Sequence, residues 1–197
     1  MTLGEFLISL LLVSVSVVGA IGDGGNELMS EAGVTICDSL TGECRLKCPP
    51  GSFPSTTGCT QCPLGHFSTY ATFTPCTPCP VGTFASSLGS RDCTPCFPGT
   101  FSNQLAATTA FSCLSCPPGT FSSSSSSIAC SLCQAGSFQS LSGQISCQQC
   151  PRGSWSDAVG ATNQSVCRPC PAGSFAPQLG SLQCSLCPAG TFSSSPG

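Results

Sequence analysis

From about residue 48 onward, single aromatic residues stand at regular intervals in a chain that is otherwise small and polar. Each aromatic lies five positions after a cysteine; the nine are Phe53, Phe67, Phe84, Phe101, Phe121, Phe138, Trp155, Phe175 and Phe192. No apolar position recurs with the 3.6-residue period of a helix, and the abundant Pro, Gly and Ser disfavour helix throughout. Short extended stretches such as residues 82–85 instead predict small two-stranded ladders joined by turns.

A long apolar run lies at the N-terminus, from Phe6 to Val18, and is followed by the small residues Gly19 and Ala20. This pattern predicts a secretory signal peptide over residues 1–20, cleaved after Ala20. Glu5 and the lack of Lys or Arg before the run leave an uncleaved anchor as the alternative, but the run is shorter than the ~20 residues that span a bilayer. We therefore expect a secreted chain, or one at the extracellular face of the cell surface.

A repeated unit explains the aromatic spacing. Each unit opens with a cysteine, has Gly three positions later and the aromatic five positions later, and closes with Cys-x-x-Cys, whose last cysteine opens the next unit. Units 1 to 9 open at Cys48, Cys62, Cys79, Cys96, Cys116, Cys133, Cys150, Cys170 and Cys187. Unit 1 has 14 residues, units 4 and 7 have 20, and the others that close have 17. We predict three regions: the signal peptide, an N-terminal segment at 21–47 with one candidate disulfide, and tandem cysteine-rich repeats at 48–197, with eight complete units and a truncated ninth.

The fixed letters of the unit predict a tight turn that holds the aromatic over a cystine. Proline after the opening cysteine sets φ near −65°, and glycine two positions later can adopt a positive φ. One buried ring contributes about 2–3 kcal/mol, whereas ordering the backbone costs about 1–2 kcal/mol for each residue of the unit. Disulfides and the stacking of neighbouring units must therefore stabilise the array. The predicted fold class is small disulfide-rich repeats forming an elongated rod of turns and short β-hairpins, with little helix apart from the signal peptide.

Composition and charge narrow the class of function. The chain has 197 residues with 19 Cys, 22 Gly and 17 Pro, and only 7% are charged, which is typical of an oxidised extracellular scaffold. The net charge is −3, and the charged residues after Cys48 are only Arg91, Asp92, Arg152, Asp157 and Arg168. Because no basic stripe is present to contact phosphates, we expect no nucleic-acid partner. An extracellular protein or glycan is the class of partner that this composition leaves open.

No group of residues predicts catalysis. The single histidine, His66, stands four positions after its cysteine, where every other unit has Ser or Thr, so we expect an exposed turn residue. Zinc is the main alternative to disulfides, because Cys76, Cys79, Cys93 and Cys96 approach the spacing of a structural zinc site. Secretion and the continuous overlap of the Cys-x-x-Cys pairs weigh against zinc. We predict a non-enzymatic protein with no cofactor and no metal.

The hexapeptides at residues 79–84 (CPVGTF) and 116–121 (CPPGTF), each in a unit that ends in Cys-x-x-Cys, resemble the ephrin-receptor-like cysteine-rich repeat. They are also similar to the first module of tumour necrosis factor receptor cysteine-rich domains. The resemblance covers residues 48–197 and implies cystine-stapled modules of an elongated ectodomain. It further implies that each opening cysteine pairs with the first cysteine of its closing Cys-x-x-Cys, giving Cys48–Cys59, Cys62–Cys76, Cys79–Cys93, Cys96–Cys113, Cys116–Cys130, Cys133–Cys147, Cys150–Cys167 and Cys170–Cys184, with Cys37–Cys44 before them and Cys187 left single. Pairing within each Cys-x-x-Cys, as in redox motifs, is the alternative and would leave the arms without a staple.

The function predicted from these features is a non-enzymatic extracellular spacer, structural or adhesive, built from disulfide-stapled repeats. The alternatives are a receptor-type ectodomain that binds a protein ligand and a cysteine-rich surface coat protein. The arms show no aromatic or charged cluster beyond Tyr70 and Phe73, which share one arm and would suit the receptor hypothesis. Asn163-Gln164-Ser165 is a sequon, so we expect a glycan on Asn163. A membrane anchor beyond Gly197 is compatible with all three interpretations.

Overall fold

The structure, a computed structural model, describes residues 33–37 and 41–195. The predicted signal peptide at residues 1–20 lies outside the described residues, as does much of the segment at 21–47. The described part contains eighteen short strands, which form nine antiparallel two-stranded hairpins, and two 3-10 turns; it contains no α-helix.

Each hairpin belongs to one stretch of the sequence. The first joins β1 to β2 ahead of unit 1, the second joins β3 to β4 within unit 1, and units 2 to 8 contribute one shorter hairpin each. The strands in chain order are β1 Val34–Cys37, β2 Cys44–Lys47, β3 Ser52–Ser55, β4 Gly58–Gln61, β5 His66–Phe67, β6 Thr77–Pro78, β7 Thr83–Phe84, β8 Thr94–Pro95, β9 Thr100–Phe101, β10 Leu114–Ser115, β11 Thr120–Phe121, β12 Ser131–Leu132, β13 Ser137–Phe138, β14 Gln148–Gln149, β15 Ser154–Trp155, β16 Arg168–Pro169, β17 Ser174–Phe175 and β18 Ser185–Leu186.

Unit 3 shows how the sequence of a unit makes its hairpin. The backbone turns at Pro80–Thr83, where the Thr83 N–H donates to the Pro80 carbonyl at 3.1 Å, and Gly82 has a φ of +81°. Thr83 and Phe84 then form a two-residue antiparallel ladder with the two residues between the cysteines of Cys-x-x-Cys. The register is Thr83↔Pro95 and Phe84↔Thr94. The ladder predicted around residues 82–85 is therefore confirmed. The same turn glycine has a φ between +75° and +85° in all nine units.

Neighbouring units are joined by three backbone hydrogen bonds, seen between units 4 and 5. The turn glycine Gly99 donates to the Ser122 carbonyl at 2.7 Å, Ser102 donates to Ser127 at 3.0 Å, and Ser126 donates back to the Cys96 carbonyl at 2.9 Å. The same three bonds recur at every interface from unit 2 to unit 8. Each unit thus packs on the next in a linear array, and the predicted class of small disulfide-rich repeats with short hairpins is confirmed.

The core of the array is a thin layer of cystine sulfur and small side chains. The opening cysteines of units 1 to 8 are 0–1% exposed. Six positions after the opening cysteines of units 2 to 8 a small or polar residue is also buried; these residues are Ser68, Ala85, Ser102, Ser122, Gln139, Ser156 and Ala176. Because no large aliphatic side chain is buried in the described residues, cross-links and backbone bonds hold the units together.

Candidate functional site: the interlocked cystine units

The cysteines of the described chain form nine disulfides and leave one thiol. The structure joins Cys37–Cys44, Cys48–Cys59, Cys62–Cys76, Cys79–Cys93, Cys96–Cys113, Cys116–Cys130, Cys133–Cys147, Cys150–Cys167 and Cys170–Cys184, which are the pairs that the resemblance implies. In units 1 to 8 the paired Cα atoms lie 5.5–5.7 Å apart. Cys187 is free and half-buried.

The four cysteines that approach zinc-site spacing are all in disulfides, so their sulfurs are not free thiolates. Within one Cys-x-x-Cys the two sulfurs have different partners, since Cys76 is bonded to Cys62 while Cys79 is bonded to Cys93. Among the described residues no group of three or more His, Cys, Asp or Glu side chains is placed to hold a metal ion. The sulfur atoms therefore act as staples along the array.

The Ser or Thr four positions after the opening cysteine closes the turn with its hydroxyl. Thr120, for example, donates its hydroxyl to the Pro117 carbonyl at 2.7 Å, the same carbonyl that accepts from the Thr120 N–H. Equivalent bonds are made by Ser52, Thr83, Thr100, Ser137, Ser154, Ser174 and Thr191. His66 has no hydroxyl, and its Nδ1 lies 3.2 Å from the Leu64 carbonyl instead. His66 ends its turn, as the sequence suggested, since its N–H donates to the Pro63 carbonyl at 3.1 Å, but it is half-buried in β5 opposite Pro78 and not exposed.

A second turn position, ten residues after the opening cysteine, was missed from the sequence. The residues there adopt a left-handed backbone in six units: Gly89, Ala106, Ser126, Gly143, Gly160 and Gly180. Each donates its N–H to the opening-cysteine carbonyl of the preceding unit, at 2.7–2.9 Å. Four of these six residues are glycines, which was the available signal for a left-handed turn. Ala106 and Ser126 interrupt the pattern and made it easy to miss.

The two turns meet across alternate units. A Cβ built on the turn glycine of one unit would overlap the carbonyl oxygen of position ten two units further along. The pairs are Gly51 with Gly89, Gly65 with Ala106, Gly82 with Ser126, Gly99 with Gly143, Gly119 with Gly160 and Gly136 with Gly180. Each unit thus contacts both the next unit and the one after it, an arrangement that we call the interlock. We expect this interlock to stiffen the array.

The aromatic series packs against this frame to different degrees. Phe84 and Phe138 are buried at 8% and 6% exposure, and most of the others are half-buried. Trp155 pairs across its hairpin with Arg168, whose guanidinium carbon lies 5.5 Å from the ring centroid. Phe175 and Phe192 are exposed, and they belong to the last two units.

The comparisons with known proteins agree with this geometry. The family described as "Tyrosine-protein kinase ephrin type A/B receptor-like" matches four tandem segments, residues 51–92, 65–113, 119–167 and 162–197. The chain belongs to the ephrin-receptor-like cysteine-rich family. No curated protein matches the chain significantly. Ephrin-receptor-like repeats indicate an extracellular receptor-type module, at a secreted or cell-surface location, and such modules are typically non-catalytic.

The outer surface of the ephrin-receptor-like array is nearly free of charge. Arg91, Asp92, Arg152, Asp157 and Arg168 are all exposed. The structure shows no ion pair among them; in the described chain the one ion pair joins Arg45 to Glu43 on the N-terminal hairpin at 3.1 Å. None of the helical segments that the structure describes is long and apolar enough to span a membrane.

Two further features interrupt the uniform surface of these ephrin-receptor-like units. An open cleft of about 390 Å³ lies between the N-terminal hairpin and unit 2, lined by Ile36, Glu43, Arg45 and Phe73. Tyr70, predicted to share an arm with Phe73, is 80% exposed and does not line the cleft. The sequon residue Asn163 is exposed at the start of a 3-10 turn in unit 7.

Proposed function

We propose that the chain is a non-enzymatic extracellular spacer, structural or adhesive, in which stacked ephrin-receptor-like units form a stiff rod. The observation that carries the proposal is the interlock of three successive units, in which the recurring hydrogen bonds and the close approach of alternate units are made by backbone groups. Contacts of this kind do not depend on the arm side chains, so the array can lengthen by adding units while its outer surface varies. The neutral arms add no electrostatic steering toward a charged partner.

Small-angle X-ray scattering of the secreted, oxidised chain tests this function. We expect the scattering of a rod of constant cross-section. Deletion of residues 96–149 removes units 4 to 6 in phase, because Cys150 then replaces Cys96 as the last cysteine of a Cys-x-x-Cys. The maximum dimension should fall by roughly a third, because the units stack additively. A compact particle, or a chain whose scattering is that of a flexible polymer, would contradict the spacer.

The cleft beside unit 2 supports a second candidate, a receptor-type ectodomain that binds a protein ligand. It combines the aromatic ring of Phe73 with an exposed ion pair, and Tyr70 lies on the same arm. A screen of the secreted chain against extracellular proteins would detect such a ligand, and Phe73→Ala with Arg45→Ala should abolish its binding. Binding that survives both substitutions would place the ligand site elsewhere on the array. The third hypothesis is a surface coat protein. Unlike the other two, it predicts that the protein densely covers the surface of its native cell.

An extracellular spacer requires secretion, so the proposal includes the three regions predicted from the sequence. Residues 1–20 are proposed as a signal peptide, residues 21–47 as an N-terminal segment, and 48–197 as the repeat array. N-terminal sequencing of the chain recovered from the medium should begin at Ile21. A chain that retains Met1 and stays with the membrane fraction would instead establish an uncleaved anchor.

A further inference from the structure

The two long units carry an inserted turn that the 17-residue units lack. In unit 4 it is the 3-10 turn Ala110–Ser112, and in unit 7 the 3-10 turn Gln164–Val166. The residues that precede them have nearly the same backbone, with φ −146° and ψ 157° at Thr109 and φ −152° and ψ 162° at Asn163. The structure therefore provides two equivalent turns that differ in side chains.

Neither inserted turn takes part in the stacking of units. No residue of either turn is buried, and the backbone N–H groups that close them donate within the same turn, from Cys113 to Ala110 and from Cys167 to Gln164. The bonds between units 7 and 8 are made instead by Gly153, Ser156 and Gly180. A bulky group attached to the turn of unit 7 would therefore leave the interlock intact.

Asn163 presents its amide nitrogen to solvent. Its Oδ1 accepts from the Ser165 N–H at 3.0 Å and also from the Ser165 hydroxyl, so that oxygen caps the turn. Within the part of the chain that the structure describes, Asn163 Nδ2 has no hydrogen-bond partner, and both Asn163 and Ser165 are exposed. N-glycosylation requires a Ser or Thr two residues after the asparagine. The two contacts to Oδ1 hold the Ser165 hydroxyl next to the Asn163 side-chain amide.

We infer that Asn163 Nδ2 carries an N-linked glycan on the mature protein, an inference that rests on the proposed extracellular function. The donor is a lipid-linked oligosaccharide diphosphate. The Nδ2–C1 bond to the first sugar forms as the bond from C1 to the diphosphate oxygen breaks. The diphosphate leaves with the electron pair, and an Nδ2 proton passes to a base of the transferase. Because Oδ1 is unchanged in the product, the cap on the Ser165 N–H survives the modification.

The test uses the complete chain expressed in a eukaryotic secretory host. The peptide containing residue 163 is weighed before and after digestion with peptide N-glycosidase, which converts a glycosylated Asn to Asp. We expect glycan on Asn163 in the wild type and none in two variants that keep the fold. Ser165→Ala removes the hydroxyl but keeps the capped N–H, and Asn163→Asp removes the amide nitrogen but keeps the capping oxygen.

The equivalent turn of unit 4 supplies a matched gain-of-site variant. Thr109→Asn together with Phe111→Ser creates a sequon on the same backbone, and Phe111 is 91% exposed, so its loss does not disturb the core. We expect a second glycan at position 109. A secreted wild-type chain in which residue 163 is bare overturns the inference and leaves the extracellular function standing. A chain that remains in the cytosol with free thiols overturns the extracellular function and the inference together.

Discussion

Gly136 in unit 6 lies directly against the backbone carbonyl of Gly180 in unit 8, with no room for a Cβ between them. The N–H of Gly136 meanwhile donates to Ser156 in unit 7 at 2.8 Å, and the N–H of Gly180 donates to Cys150 at 2.9 Å. One turn therefore contacts both of the units that follow it. Because the Gly180 carbonyl fills the space that a Cβ would occupy, the interlock needs a residue without a side chain at position 136.

Replacing Gly136 by alanine should destabilise units 6 to 8 by at least about 2 kcal/mol. Roughly 1 kcal/mol arises from forcing an L residue to a φ of +78°, and a further ~1–3 kcal/mol from the overlap with the Gly180 carbonyl. The measurement is guanidinium denaturation of the oxidised chain followed by the fluorescence of Trp155, the single tryptophan, which lies in unit 7.

Gly173→Ala is the matched control for this substitution. Gly173 is the turn glycine of unit 8 and has a φ of +81°, but a Cβ there meets nothing within 4 Å. It should lower stability only by the backbone cost of about 1 kcal/mol. If the two variants unfold at the same denaturant concentration, the contact between alternate units contributes nothing to the stability of the array.

Ser126→Gly should stabilise the interface between units 4 and 5 by about 0.5–1 kcal/mol. Ser126 has a φ of +56°, a left-handed conformation that costs a residue with a Cβ about 1–2 kcal/mol; the greater freedom of glycine in the unfolded chain cancels part of the gain. Amide hydrogen exchange at Ser102, which donates to Ser127 across this interface, should become slower.

Thr72→Gly tests whether that gain comes from the backbone conformation. Thr72 occupies the same position in unit 2, but it has no positive φ and exchanges two hydrogen bonds with Cys48 at 3.0 Å. Glycine there should be destabilising by roughly 1–2.5 kcal/mol, because it adds freedom to the unfolded chain and removes the Thr72 hydroxyl, which accepts from the Thr74 N–H at 2.9 Å. A stabilised Thr72→Gly variant would show that the left-handed backbone is not the cause.

The turn hydroxyl can be tested by removing it from one unit and adding it to another. Thr120→Val should cost about 0.5–1.5 kcal/mol, because the bond to the Pro117 carbonyl is lost while the volume is kept. His66→Thr should stabilise unit 2 by a similar amount, since the Pro63 carbonyl already accepts from the backbone N–H of residue 66. Thermal denaturation of the oxidised proteins measures both, and a His66→Thr protein that melts below the wild type would contradict this role.

The sequence predicts those parts of the fold that require a particular type of residue. Gly82 has an equivalent in every unit because the turn demands a positive φ, and Phe84 has an aromatic equivalent in every unit, so the hairpin could be expected. The contact between Gly136 and Gly180 could not, since its second member contributes a carbonyl oxygen, which every residue possesses. At position ten, Ala106 and Ser126 occupy a left-handed backbone that neighbouring units impose, and this tertiary effect overrides local preference.

The disulfide connectivity is the prediction on which the candidate site depends most. Nine disulfides remove two hydrogens each, so the oxidised chain should gain about 18 Da on reduction and show one free thiol, at Cys187. Non-reducing digestion with pepsin should release a fragment that joins Cys96 to Cys113, which are 17 residues apart in unit 4.

Mass alone does not decide the connectivity, because pairing within each Cys-x-x-Cys has the same parity. That alternative would bond Cys113 to Cys116 and leave the arm of unit 4 without a staple. Exchanging both Cys96 and Cys113 for Ser should cost about 3 kcal/mol if they close this loop. Under the alternative, the same double variant would break two separate bonds and free two additional thiols. A count of one free thiol in the double variant therefore supports the staple, and a count of three contradicts it.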